Sequence, residues 1–421
     1  MSSPALTSAT SRMTVVAICF AAIVFDGYDL IVYGSSVPAL LDYEPWNLTP
    51  GQVGAIGSYA LMGMFFGAIS SGALSDRFGR RRLFIGCLAW YSVAMIFVAT
   101  APSAELLGMY RFIAGLGFGG IAPVAVALVV EVARPHERNR LNAVMLAGLP
   151  VGGVLAAVAA ITLLDDLGFR GLWAFGSVAL LTVVPLAWKF IPETAGAMPR
   201  GPQRTRVRDL LGPGQVTAIV LFSIANFMGF LLVFGLNIWL PELMRRAGYS
   251  LGSALTFQLL LNAGAIAGGY LGSAVADRCG SRRVATAAFA LAAIAIAVMA
   301  TTPPAAAMVL VTIAAGAGSI GTQIVVFGFV ATYYPAEVRA TALGITTGIG
   351  RLGAVCGPLV GGWLLGVGLA FGWAFAFFGL MAAIGSVASL LVPKSPINAP
   401  DGPDSSTRAA FADEPSVILS R

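Results

Sequence analysis

The sequence predicts an all-α membrane protein with twelve transmembrane helices in two pseudo-symmetric six-helix halves. Three observations carry this expectation. Of 421 residues, 58% are hydrophobic and only 10% are charged, whereas a soluble domain carries about 25% charged residues. Apolar runs of about 20 residues, long enough to cross a bilayer, recur along the chain. A charged loop motif appears twice, half a chain length apart.

The runs give the elements in order. The first half holds spans at roughly 13–36, 51–74, 83–101, 104–132, 141–164 and 170–191. The second holds spans at roughly 215–240, 250–275, 284–301, 305–333, 340–367 and 369–392. Residues 1–12 form an N-terminal tail. The Pro-, Gly- and Arg-rich segment 192–214 reads as a linker, and 393–421 reads as a disordered tail. No signal peptide is expected: the first run is too long, has one arginine before it and contains two acids.

Charge sets the orientation. Twenty of the 25 lysines and arginines fall in loops on the side of the two termini, and three (Arg170, Arg245, Arg246) on the other. This excess places both termini on the cytoplasmic side; a plasma membrane, the bacterial inner one, is the expected location. It also accounts for the net charge of +6 without a nucleic-acid partner. The four cysteines have no metal or disulfide spacing. No nucleophile–base set appears and the single histidine, His136, lies in a basic loop, so an enzyme is not expected.

The repeat is specific. SGALSDRFGRRR (Ser71 to Arg82) follows span 2 and GSAVADRCGSRR (Gly272 to Arg283) follows span 8, with Asp76, Gly79 and Arg82 matching Asp277, Gly280 and Arg283 at an offset of 201. The same offset carries Gly115 and Gly117 onto Gly316 and Gly318. Internal repeats of this kind build secondary transporters, with the site between the halves near the midplane.

At this point the chain resembles the major facilitator superfamily, on the strength of DRFGRRR, RFIAGLGFGG (Arg111 to Gly120) and IPETAG (Ile191 to Gly196). FDGYDL (Phe25 to Leu30) with GIGRLGAVCGPLVGG (Gly348 to Gly362) narrows the resemblance to the aromatic acid:proton symporters. That resemblance implies import of benzoate or a hydroxybenzoate with H+ by alternating access, driven by the proton gradient with no cofactor. A proton-coupled drug or metabolite antiporter of the same superfamily is the alternative. Span 5 carries GLPVGG (Gly148 to Gly153) rather than the antiporters' motif, which favours uptake. A monomer is expected in the bilayer.

The candidate residues follow from charges that do not repeat. Asp26, Asp29 and Arg111 would map to Phe227, Phe230 and Thr312, so the scaffold does not need them. Intramembrane acids cost on the order of 2.5–3.5 kcal/mol on insertion scales and are functional by default. At about 1.5 Å per residue, Asp29 and Arg111 both lie on the order of 10 Å from the outer end of their spans. An Asp–Arg pair is therefore expected, with Asp29 better matched to Arg111 and Asp26 leaning towards the proton site. Arg351 lies near the midplane with no acid in the spans of its own half, and its planar fork suits a carboxylate. It is expected to hold the substrate carboxylate. Tyr33, on the face of the two acids, and Asn226, Asn237 and Gln323 at depth complete the candidate substrate-binding set. Packing and helix–helix contact is the competing role for each of them.

A cytoplasmic gate is expected from Asp76, Arg77, Arg80 and Glu131, a charge network that forms in one state and breaks in another. Its copy keeps Asp277 and Arg278, but Ser281 and Thr332 replace the partners, so the second latch should be weaker. Gly353, Gly357 and Gly361 are expected to let span 11 approach a neighbour closely.

Overall fold

The computed structural model describes residues 9–134, 137–192 and 215–393. Of the expected N-terminal tail, linker and C-terminal tail, only residues 9–12, 192 and 393 are among them; His136 lies outside. All regular structure among the described residues is helical.

The first four spans are α1 (Ala9–Leu41), α2 (Pro50–Phe78), α3 (Arg80–Ala99) and α4 (Ala104–Val132). The start of α2 is fixed locally. Thr49 accepts from the Gln52 amide at 3.3 Å, the Gln52 side chain accepts from the Thr49 amide at 2.9 Å, and Pro50 supplies a preset φ at the first turn. Ser103 caps α4 in the simpler way.

Spans 5 and 6 form one apolar stretch, Arg140–Phe190, of 51 residues. A straight helix of that length would measure about 75 Å, over twice the hydrocarbon thickness. The chain instead turns at Gly168, whose φ of 63° is open to glycine at little cost. The stretch comprises α5 (Arg138–Leu146), α6 (Gly148–Ala174), α7 (Val178–Leu181) and α8 (Val183–Phe190), with a 3₁₀ turn at Phe175–Ser177. Splitting it at Gly168 turns eleven long apolar stretches into twelve crossings. The second half follows as α9 (Gln215–Arg246), α10 (Leu251–Cys279), α11 (Ser281–Met299), α12 (Ala305–Tyr333), α13 (Ala336–Gly366) and α14 (Phe371–Leu391).

The repeat governs packing as well as sequence. In the first half, Gly115 of α4 lies on the backbone of Ala60, and Gly63 of α2 on that of Phe112. In the second, Gly316 lies on Leu261 and Gly264 on Ile313, the same crossing displaced by 201 residues. Gly117 meets Cys87 and Tyr91 of α3, as Gly318 meets Ala288 and Ala292 of α11. A side chain at these glycines would collide with backbone, so the conserved spacing between halves is a steric requirement. Gly79 and Gly280, with φ of 82° and 88°, make the equivalent turns after α2 and α10.

The halves meet through α1 with α9, α2 with α13, and α6 with α10. Calling the face where α1 begins the near face, the strongest ties between the halves lie towards the far face. Ser35 donates to Gln258 at 2.6 Å, Ser58 donates to the Val355 carbonyl at 2.8 Å, and Arg245 pairs with Asp42 at 2.7 Å. Gly34 rests on the backbone of Asn237, Gly54 on Pro358, and Gly362 on Pro50. Near the near face, Gly344 and Gly348 of α13 have open space on their Cβ side.

Candidate functional site

The two acids of FDGYDL are held by the glycine between them. Gly27 lies against the backbone of Leu149 on α6, and Gly152 returns the contact against Val24 and Tyr28. The Tyr28 hydroxyl donates to the Leu172 carbonyl at 3.0 Å. This crossing fixes the rotation of α1, leaving Asp26 and Asp29 each 1% exposed. Neither acid is in ion-pair contact with a described arginine, and the Asp26 Oδ1 and both Asp29 oxygens have no hydrogen-bond partner.

The expected Asp29–Arg111 ion pair is therefore absent from this structure. Arg111 lies instead on Tyr33, one helical turn beyond Asp29, with its guanidinium carbon 3.9 Å from the centre of the ring. Asp29 and Arg111 remain electrostatically coupled, without contact. The Asp29 carboxyl instead presses on Gly176, in the 3₁₀ turn of the sixth crossing, where any Cβ would overlap it.

Asp26 has a different partner. Arg351, from the opposite half, lies within electrostatic range of it, without an ion-pair contact. Arg351 is carried on α13, which Gly353, Gly357 and Gly361 bring against Phe227, Leu231 and Trp239 of α9. Its guanidinium donates to the Met64 carbonyl of α2 at 3.2 Å. The arginine thus reaches across the boundary between the halves.

The uncharged candidates separate into two groups. Asn226 is fully buried beside Gly350, donates to its own helix at the Phe222 carbonyl (3.0 Å), and leaves its oxygen unpartnered. The Gln323 amide lies over the Cα of Gly229, and neither of its polar atoms has a partner. Phe230 adjoins them, 6.2 Å from Phe327 and 6.3 Å from Phe234 between ring centres. Arg351, Asn226, Gln323 and these rings thus share one region of the second half. Asn237, by contrast, is committed: it donates to the Val233 carbonyl at 2.8 Å and accepts from Asn262 at 2.9 Å. It borders a small cavity with Leu30, Leu149, Phe234 and Asn262, of about 30 Å³ and so water-sized.

Tyr33 does not present a free ring. It is fully buried, stacked 6.3 Å from Trp173, covered by Arg111, and its hydroxyl donates to the Val53 carbonyl at 2.7 Å. Its ring and hydroxyl are both committed to protein partners.

At the gate, Arg80 and Glu131 form an ion pair within the first half. Arg77 lies 5.5 Å from the Phe78 ring centre, and the side chain of Asp76 lies outside the described residues. Asp277 and Arg278 form no ion pair among the described residues. Sequence reasoning missed four residues. Asp42 and Glu242 were not singled out because they sit at helix ends, where charge is unremarkable. Tyr91 was invisible in an apolar run, although it loses its polar group in the repeat, at Ala292; Trp173 recurs with its two successors, as WAF at 173–175 and 373–375.

Comparison with known proteins agrees with this architecture. The model of the Major Facilitator Superfamily matches residues 19–274 and 252–419. A gentisate transporter of Corynebacterium glutamicum is 37% identical over 90% of this chain and 86% of its own. A benzoate transport protein of Acinetobacter baylyi is 30% identical over 88% and 87%. Among solved structures, a D-xylose-proton symporter superposes with a TM-score of 0.76 at 18% identity, covering 91% of this chain and 98% of that one. The inward-open xylose transporter of E. coli gives 0.74 at 16%, covering 90% and 96%.

Proposed function

Since the chain belongs to the Major Facilitator Superfamily and is a membrane transporter rather than an enzyme, we propose that it imports an aromatic carboxylate, benzoate or a hydroxybenzoate, together with H+ by alternating access. The names of its relatives support the substrate class. The observation that carries the coupling is a buried acid of the first half, Asp26, with an arginine of the second, Arg351, that crosses to the first half at the Met64 carbonyl.

Coupling follows from competition for one guanidinium. While Asp26 is ionised, it satisfies part of the field of Arg351. When Asp26 takes up a proton, that field is released and a substrate carboxylate can replace it with a planar, bidentate contact. Proton and anion then bind with positive linkage, which is what symport requires. One proton with one monoanion is electroneutral and responds to the pH gradient alone. Asn226, Gln323 and Phe230 supply polar and ring surface beside the guanidinium.

With the termini in the cytoplasm, as the arginine distribution favours, the far face is extracellular. The structure is then closed to the outside by the Ser35, Ser58 and Asp42 contacts. The Arg80–Glu131 pair sits within one half, where it braces α3 against α4.

A thermal-shift screen of the purified protein tests the reading. Benzoate and its hydroxylated isomers should raise the melting temperature, because a ligand bound only to the native state stabilises it. Dicarboxylates and cationic drugs should not. Stabilisation by cationic drugs with no response to aromatic acids would replace import by drug export.

A further inference from the structure

Only three of the 25 lysines and arginines fall in far-face segments, and two of them are adjacent, Arg245 and Arg246. Topology does not require this pair, since arginine on the external side opposes the charge bias that orients the chain. Their setting is a built one. Glu242, Arg245 and Arg246 end α9 at i, i+3 and i+4, so they share a face. Glu242 is 2% exposed and accepts from the Nε of both arginines at 2.8 Å, with Nη2 of Arg245 adding a longer contact at 3.4 Å. Arg246 Nη1 donates to the Leu365 carbonyl, near the end of α13, at 3.5 Å. Both cations are thus anchored within the second half. Arg245 has one edge left, and its Nη1 meets the Asp42 carboxylate of the first half at 2.7 Å.

Parting the halves divides this set unequally. Glu242 travels with Arg245, because they share a helix, whereas Asp42 follows α1. The guanidinium then stays oriented, with the edge that held a carboxylate open to solvent; its side chain is already 34% exposed with the halves closed. Two cations on one acid leave that wall positive, and the second half has no other acid at the far face. The facing wall is acidic, with Asp42, Glu44, Glu105, Asp165 and Asp166 against Arg170. An incoming anion is therefore drawn to the second half.

The position of the pair connects it to the deeper arginine. Arg351 lies on α13, 14 residues before Leu365, which is about 21 Å along the helix. The close approaches of Gly54 to Pro358 and of Gly362 to Pro50 fall between the two levels. Arg245 is thus outside the far-face seal and Arg351 inside it, on one packed helix pair, α9 with α13. The occupant that suits the open edge is the group already found there: a guanidinium offers donors only, in a planar fork that matches a carboxylate.

We propose that Arg245 is an outer receiving site for the substrate carboxylate, and that Asp42 takes the substrate's place while the far face is closed. One edge cannot hold both, so the anion docks only after the seam parts, and Asp42 returns once the anion has moved inward. An exposed arginine–carboxylate contact is weak, as a stopping place on the way to Arg351 must be. The site rests on the reading of the chain as an importer of aromatic carboxylates with its termini in the cytoplasm.

The test measures initial uptake of benzoate and hydroxybenzoates by the full chain in right-side-out membrane vesicles, well below KM, at low and high external ionic strength and constant osmolarity. Arg245→Gln should lower kcat/KM roughly 1.4- to 5-fold at low ionic strength, the range of an exposed pair. The deficit should shrink in high salt, where such charges are screened. Asp42→Asn, which frees the same arginine, should equal or exceed the wild type. If the pair only latches the halves, both variants break one latch and shift uptake in the same direction, and that result overturns the proposal. Adding Arg245→Gln to Asp42→Asn removes the arginine where no bridge is left to break; the absence of a further loss also overturns it. Arg245→Lys repeats the comparison should Arg245→Gln not reach the membrane: it keeps the charge without the fork, so kcat/KM falls less, and a change in the same direction as Asp42→Asn again overturns the site. If the wild type takes up no aromatic acid, the import reading fails and the receiving site with it. Uptake by the wild type with both variants shifted alike defeats the receiving site alone.

Discussion

Replacing Ser35 by alanine should open the far face more than breaking the Asp42–Arg245 ion pair between the halves. The Ser35 hydroxyl donates to Gln258 Oε1 at 2.6 Å, and both residues are fully buried. Its removal leaves that oxygen buried without its donor while the halves are closed, but water reaches it once they part. The penalty thus falls on the closed state alone, at about 1–3 kcal/mol, which shifts the population roughly 5- to 150-fold. Asp42→Asn breaks the 2.7 Å bridge to Arg245, but these side chains are 60% and 34% exposed and Arg245 keeps Glu242 at 2.8 Å. An exposed pair of this kind contributes about 0.2–1 kcal/mol, a shift of roughly 1.4- to 5-fold. Spin labels at the exposed positions Glu44 and Thr256, on opposite halves, would report the distance distribution by pulsed electron resonance. The longer-distance population should grow strongly for Ser35→Ala and little for Asp42→Asn. The reverse order would refute the reasoning that buried neutral hydrogen bonds outweigh the surface bridge.

Three further outcomes are expected. Arg351→Lys keeps the charge but loses the planar fork; uptake should show KM raised on the order of ten- to a hundredfold at unchanged protein level, the range of about 1.5–3 kcal/mol for a charged hydrogen bond, and an unaltered KM would remove Arg351 from the site. Asp26→Asn should abolish accumulation driven by a pH gradient while sparing substrate exchange across proteoliposomes; normal accumulation would move the proton site elsewhere. Gly176→Ala sets a methyl group against the Asp29 carboxyl and should lower stability by about 1–3 kcal/mol, as overpacking does, read as a fall in melting temperature that a second change, Asp29→Ala, partly restores.

Much of the architecture was legible because hydropathy and glycine spacing are one-dimensional signals. The gap left between spans 141–164 and 170–191 brackets Gly168, where the chain turns. The offset of 201 anticipated crossings that the structure repeats at Gly63 and Gly264. The span ends were less legible: α1 runs to Leu41, through Pro38, beyond the expected end at 36. The charged constellation was legible in membership but not in pairing. Depth along a helix placed Asp29 and Arg111 at one level, yet depth says nothing about azimuth, and Arg111 settles on the Tyr33 ring instead. Arg351 was left without an acid because only its own half was searched; Asp26, within electrostatic range of it though not in contact, belongs to the other. Contacts made across the halves arise from assembly, and no local pattern encodes them.

The far-face seal is made largely of backbone: Gly34 on Asn237, Gly54 on Pro358, and Gly362 on Pro50. Long side chains forfeit rotamer freedom whenever they interlock, a loss of up to about 2 kcal/mol each. Glycine has none to forfeit. Closing such a seam therefore immobilises little and opening it liberates little, so the entropy of the two states stays nearly level. Under the proposed alternating access, a seam that must form and part is better served by such contacts than by interdigitated leucines.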